Sequence, residues 1–159
     1  MSDEDKVQIA KEITKAEKNL KNARDTLKNY GNKIAKFRTY DGLSRGRRVN
    51  GRWKVWNGVI LEYMELVDTR LSDLKNEIPV LVKYKKITEG LLKNREIDWA
   101  KESMYRLSNS NDRVKYAIGH IITNYKILME EIDKSDTRIH EAAQKAVADK
   151  LQYSKELRF

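Results

Sequence analysis

The sequence predicts an all-α protein, an elongated antiparallel bundle of three or four long coiled-coil-like helices with a short basic β-hairpin or loop between helices 1 and 2. Three observations lead there. The chain is 36% charged and 40% hydrophobic with one proline in 159 residues, a composition of long helices rather than of sheet. Its apolar residues recur at alternating spacings of four and three over long stretches. Four of its seven glycines fall within residues 40–58, where that period stops. The length suits a single helical domain over 1–159.

The first helix is expected from about residue 3 to 38. Ile9, Ile13, Ala16, Leu20, Ala23, Leu27, Tyr30, Ile34 and Phe37 form one unbroken seam. Ser2 followed three residues later by Asp5 supplies a capping-box-like start, a carboxylate standing in for the usual Glu. So long a seam is hard to cover within one small chain, which predicts self-association through helix seams.

Residues 40–58 follow as a basic loop or hairpin. Asn50-Gly51 is a strong short hairpin signal, because both central residues of a type I′ turn need positive φ. Arg48-Val49 and Arg52-Trp53-Lys54-Val55 flank it with the alternation of a ribbon.

A bent helix pair is expected over about 56–107, with Trp56, Ile60, Met64, Val67, Leu71, Leu74 and Ile78 on one face. Pro79 lacks an amide donor and clashes with the preceding turn, so it predicts a kink or a new helix. Val80, Tyr84, Ile87 and Leu91 continue the period, and Ile97, Ala100, Met104 and Leu107 resume it after a phase slip near residues 93–96. Ser108-Asn109-Ser110-Asn111 reads as a polar turn. The last helix is then expected over about 112–157, with a seam of Ile121, Tyr125, Leu128, Ile132, Ser135, Ile139, Ala142 and Ala146.

The absence of cysteine removes disulfide frameworks, thiolate metal sites and cysteine nucleophiles. The acidic start Met1-Ser2-Asp3-Glu4-Asp5 is unlike a secretory signal, and no apolar run approaches the roughly eighteen residues of a membrane span. These features predict a protein that is cytoplasmic or assembled within the cell, virions included. His120 and His140 lie twenty residues apart with no acid three positions before either, unlike the Glu-x-x-His pairs of di-metal bundles. Glu130, Glu131 and Asp133 fall at or near a polar helix face. No phosphate-cradling glycine loop, nucleophile elbow or zinc spacing occurs. The expectation is a protein that is not an enzyme, with no cofactor and no metal.

Charge is the informative feature. Residues 28–54 carry nine Lys and Arg against Asp41 alone, +8 of the net +9. Within them Lys33, Lys36, Arg38, Arg45, Arg47, Arg48, Arg52, Trp53 and Lys54 form the candidate nucleic-acid-binding set. Cations neutralise phosphates and release counterions, and an indole offers a flat face on which a base stacks. Trp56 continues the seam of the second helix and suits the core, whereas Trp53 sits between charges on the ribbon and suits contact. The function predicted is therefore a nucleic-acid-binding or architectural protein, of a packaging, virion-assembly or nucleoid kind. The alternative is a helical interaction or structural subunit whose seams bind partner helices and whose basic patch faces an acidic protein, since acidic surfaces attract a basic loop by the same physics. Attachment to an anionic membrane is disfavoured, because no basic segment has a broad apolar face beside it.

Overall fold

The computed structural model describes residues 3–156, with the side chains of residues 139, 140 and 152–156 outside the description. The chain is mostly helical, with three helices and a small hairpin region between the first two. Helix α1 spans Asp3–Ala35, α2 spans Gly58–Lys93 and α3 spans Ile97–Glu156. Between α1 and α2 lie strands β1 (Arg38–Thr39), β2 (Gly42–Leu43), β3 (Gly46–Val49) and β4 (Arg52–Val55).

The seam of α1 is covered by the protein's own chain. Ile9, Ile13, Ala16, Leu20, Ala23 and Ile34 are buried, and Leu27, Tyr30 and Phe37 pack partly buried against the same core. Contacts between helices set their senses. Lys85 late in α2 pairs with Glu17 of α1 at 3.7 Å, while Arg38, just beyond α1, pairs with Asp68 early in α2. Thr88 of α2 meets Ser103 of α3 at 2.7 Å, and Glu77 meets Arg113 at 2.9 Å. Position therefore falls along α2 as it rises along α1 and α3. Lys101 with Asp5 at 3.4 Å and the Tyr30–Tyr125 ring pair at 5.3 Å show α1 and α3 advancing together.

Two boundaries differ from expectation. Residues 108–111 form no turn: α3 runs straight through them, and Ser110 and Asn111 are buried. The seam Ile97, Ala100, Met104, Leu107 continues through Asn111 to Val114 without a break. Short polar side chains disfavour helix interiors because they compete for nearby backbone groups. Here that competition is lost to partners on other helices. Ser110 Oγ donates to Glu77 at 2.8 Å, Asn111 Nδ2 donates to the Glu12 carboxylate at 3.0 Å, and Asn19 Nδ2 donates to Asn111 Oδ1 at 3.0 Å.

The turn lies instead at residues 94–96, where the apolar pattern slips phase. The Arg95 amide bonds Leu92 O at 3.1 Å and the Glu96 amide bonds Leu91 O at 3.0 Å, the paired bonds of a Schellman cap. Arg95 holds the left-handed position with φ 59°, a place usually given to glycine. No new helix starts near Pro79: α2 continues through it, because its seam still has α3 to pack on. Past the proline the buried positions are Leu81 and Thr88, one step from the expected Val80 and Ile87, and Ile87 is exposed. Thr88 is polar, which hid the register, and its hydroxyl is satisfied by Ser103.

Beyond Ile132 no described residue of α3 is fully buried. Thr137, Arg138 and residues 141–151 are all exposed, including Val147 and Leu151. Among the described residues no helix is long and apolar enough to cross a membrane. The expected last-helix limit at residue 157 and the His140 and Ile139 side chains lie outside the description.

Candidate nucleic-acid interface

The hairpin forms where the turn chemistry placed it. Asn50 has φ 52° and Gly51 φ 78°, so both central residues carry the positive φ of a type I′ turn. β3 pairs antiparallel with β4 in the register Arg47↔Lys54, Arg48↔Trp53 and Val49↔Arg52. The ladder ends as the Trp56 amide donates to Arg45 O at 2.8 Å. The Asn57 side chain then caps α2 by accepting from the Ile60 amide at 2.9 Å. A second small ribbon, β1–β2, precedes it with Arg38 opposite Leu43, and it closes through Thr39 Oγ donating to Gly42 O at 3.1 Å. The sequence signalled only the end of the first helix near residue 38 and a hairpin or loop from residue 40, whereas α1 stops at Ala35 and Arg38 enters the ribbon.

Alternation along β3 and β4 sorts the basic residues into two sets. Arg47 and Lys54 are cross-strand partners on one face, and both reach the single carboxylate of Asp136 on α3, Lys54 Nζ at 3.2 Å. The Arg47 guanidinium also lies 5.4 Å from the Trp56 ring. Trp56 is buried, so this face closes one end of the core. Burial, and secondarily the adjacent Arg47 charge, hold the Lys54 ammonium below its usual pKa range. Among the described residues, Arg47 Nε and Trp56 Nε1 are buried there with no hydrogen-bond partner.

The other face carries Arg48, Trp53 and Val55, all exposed, with Trp53 at 60%. Gly46 is buried on this face, and a Cβ there would overlap the Lys54 carbonyl and lie 3.1 Å from Cε2 of the Trp53 indole. The glycine thus lets the indole lie against the strand.

The nine candidate residues fall into unequal roles. Lys36, Arg45, Arg48 and Arg52 are exposed, and no carboxylate in the described residues pairs with them. Arg38 is engaged by Asp68, and Arg47 and Lys54 by Asp136. Lys33 is exposed over two rings, 4.8 Å from Tyr30 and 5.3 Å from Tyr125. Sequence reasoning missed Asp136, which lies more than eighty residues from its partners and carries no local signal. It also missed the acids beside Trp53. A cleft of about 520 Å³ opens there, with Asp41, Arg45, Leu61 and Glu65 among its walls. Asp41 was marked in advance only by being the one acid of its basic stretch.

Elsewhere, a cleft of about 580 Å³ between α2 and α3 is lined by charges that pair with one another, Arg70 with Asp73 and Arg113 with Glu77. Glu131 pairs with Lys134 at 3.5 Å, and Glu130 and Asp133 are exposed. His120 packs on Tyr116 with ring centroids 4.1 Å apart. Among the described residues no group of three potential metal ligands converges. No protein-family model matches the chain, and neither a curated protein nor a solved structure is significantly similar to it.

Proposed function

We propose that the protein is a non-enzymatic nucleic-acid-binding, architectural subunit in which an antiparallel, coiled-coil-like bundle of three helices carries a basic ribbon to phosphates. The observation that supports this reading is that Lys36, Arg45, Arg48 and Arg52 are exposed without carboxylate partners among the described residues, with Arg48 opposite the exposed Trp53 in the ribbon and Arg45 on the wall of the same cleft. Free cations condense on a phosphate backbone with release of counterions, whereas cations already paired with a carboxylate contribute less. Arg38, Arg47 and Lys54 then serve to dock the ribbon on α2 and α3 rather than to bind. The test is a quadruple variant, Lys36→Ala with Arg45→Ala, Arg48→Ala and Arg52→Ala. If each neutralises one phosphate, the slope of log affinity against log salt on duplex DNA falls by about 3 to 4 units, uniformly across sequences. Trp53→Ala weakens single-stranded binding by about 1 to 3 kcal/mol with little change in slope. An unchanged slope in a folded quadruple variant, or no binding by the parent at low salt, defeats the reading.

A second reading, a subunit that joins helix to helix, draws on α3. Ala142, Ala143, Ala146 and Val147 continue the helical face of Ile121, Leu128 and Ile132 into a segment where every described side chain is exposed. A second copy of the chain is the partner this reading favours, because Arg138, Lys145 and Lys150 are interspersed with Glu141 and Asp149 rather than segregated by sign. Sedimentation of the parent beside a Val147→Glu, Leu151→Glu variant decides it: a parent that sediments as a monomer, or a variant that associates equally, rejects it.

A further inference from the structure

We propose that the cleft beside Trp53 receives one unstacked base of a single-stranded nucleic acid and selects guanine, an inference that rests on the nucleic-acid reading above. The cleft has the size of a small-ligand site, about 520 Å³. One wall is the Trp53 indole, 60% exposed and held against β3 at Gly46, so that a stacking surface stands ready without ordering a free side chain. Leu43 and Leu61 add apolar lining.

The charges of the cleft separate base from backbone. Asp41 and Glu65 both line it, both are exposed, and neither has an ion-pair or hydrogen-bond partner in the described residues. The neighbouring acids Asp68 and Asp136 behave oppositely, each being engaged by an arginine. Two free carboxylates within a strongly basic surface repel a phosphate and accept hydrogen bonds only. Their complement is a group rich in N–H donors that also has a flat apolar face.

Guanine meets that description best. Its N1–H and N2–H lie side by side on the Watson–Crick edge and match the two oxygens of one carboxylate. Cytosine and adenine offer one amino group on that edge next to a ring-nitrogen acceptor. Uracil and thymine offer a single N3–H flanked by two carbonyls, which would face the carboxylate with like partial charge. Single-stranded recognition commonly combines such edge contacts with aromatic stacking. Arg45, also on the cleft wall, is placed to meet a phosphate adjoining the bound base.

The experiment is fluorescence anisotropy of the full chain with two dye-labelled DNA heptamers, one of seven thymidines and one with guanine at the centre. The parent is expected to bind the guanine heptamer about tenfold more tightly, within the discrimination of one bidentate base contact. In the Asp41→Asn, Glu65→Gln variant the difference disappears, while both heptamers still bind with a parent-like salt dependence. Equal affinity of the parent for the two heptamers overturns the base site and leaves the phosphate contacts standing. A variant that retains the preference likewise overturns the assignment to these carboxylates. Failure of the parent to bind either heptamer at low salt overturns both the base site and the reading beneath it.

Discussion

The two halves of α3 invert the usual relation between polarity and burial. From Ile97 to Ile132 the covered face includes Ser103, Ser110, Asn111 and Asn124, all buried. From residue 137 onward the same face offers Ala142, Ala146 and Val147, all exposed. Periodicity marks which side of a helix is suited to a partner. Burial depends on whether a partner helix reaches that far, and α1 ends at Ala35 beside the Tyr30–Tyr125 contact. Asp136 marks the border, where the ribbon reaches α3.

Ile121→Glu should break the covered half. A carboxylate in place of a side chain with no exposed surface is expected to cost about 3 to 5 kcal/mol, whereas Val147→Glu changes the stability of a monomer by less than about 0.5 kcal/mol. Urea titrations of the two variants measure the contrast directly, and equal losses would mean that the second half is covered too.

Asn111→Ala probes the polar seam. It strips the Asn19 amide of its acceptor and the Glu12 carboxylate of one donor, leaving Lys15 at 3.2 Å on the other oxygen, and thermal or urea unfolding should show a loss of about 1 to 3 kcal/mol. A neutral result would show that water replaces the missing amide.

At the border, Asp136→Asn removes the one carboxylate shared by Arg47 and Lys54. A loss of about 1 to 3 kcal/mol is expected, together with faster amide exchange in β3 and β4. The depressed pKa of Lys54 gives a signed pH dependence. The unfolded chain binds more protons than the folded one between the lowered pKa and the ordinary 10.5, so this group's contribution to stability rises with pH through that window. In Lys54→Met that increment should vanish from the alkaline limb of the stability curve.

A smaller gain is expected at the cap that ends α2. Arg95→Gly relieves a left-handed backbone position on a non-glycine residue, and it should raise stability by about 1 kcal/mol without moving the helix boundaries.

Much of the fold was legible in the chain. The seam of α1, the hairpin at Asn50-Gly51, the buried Trp56 and the exposed Trp53 follow from spacing and turn chemistry, which are local properties. The candidate site was legible as a region and not as a set of roles. Local pattern counts Arg47 and Arg48 as equals, yet alternation on a strand that packs against α3 joins one to Asp136 and leaves the other in water.

By itself the sequence determined the helical class, the phase of the α1 seam and of α2 up to Pro79, the position of the ribbon and the place where positive charge accumulates, because each depends on residues a few positions apart. Tertiary structure alone decided that Ser110 and Asn111 continue a helix rather than end one, and that α2 passes through Pro79. It also decided which cations are spent on Asp68 and Asp136 and which carboxylates stay free beside Trp53. The physical reason is common to all of these. A polar group takes the best partner within reach, and for these groups the partner, or its absence, was set by residues tens of positions away that only packing brings near.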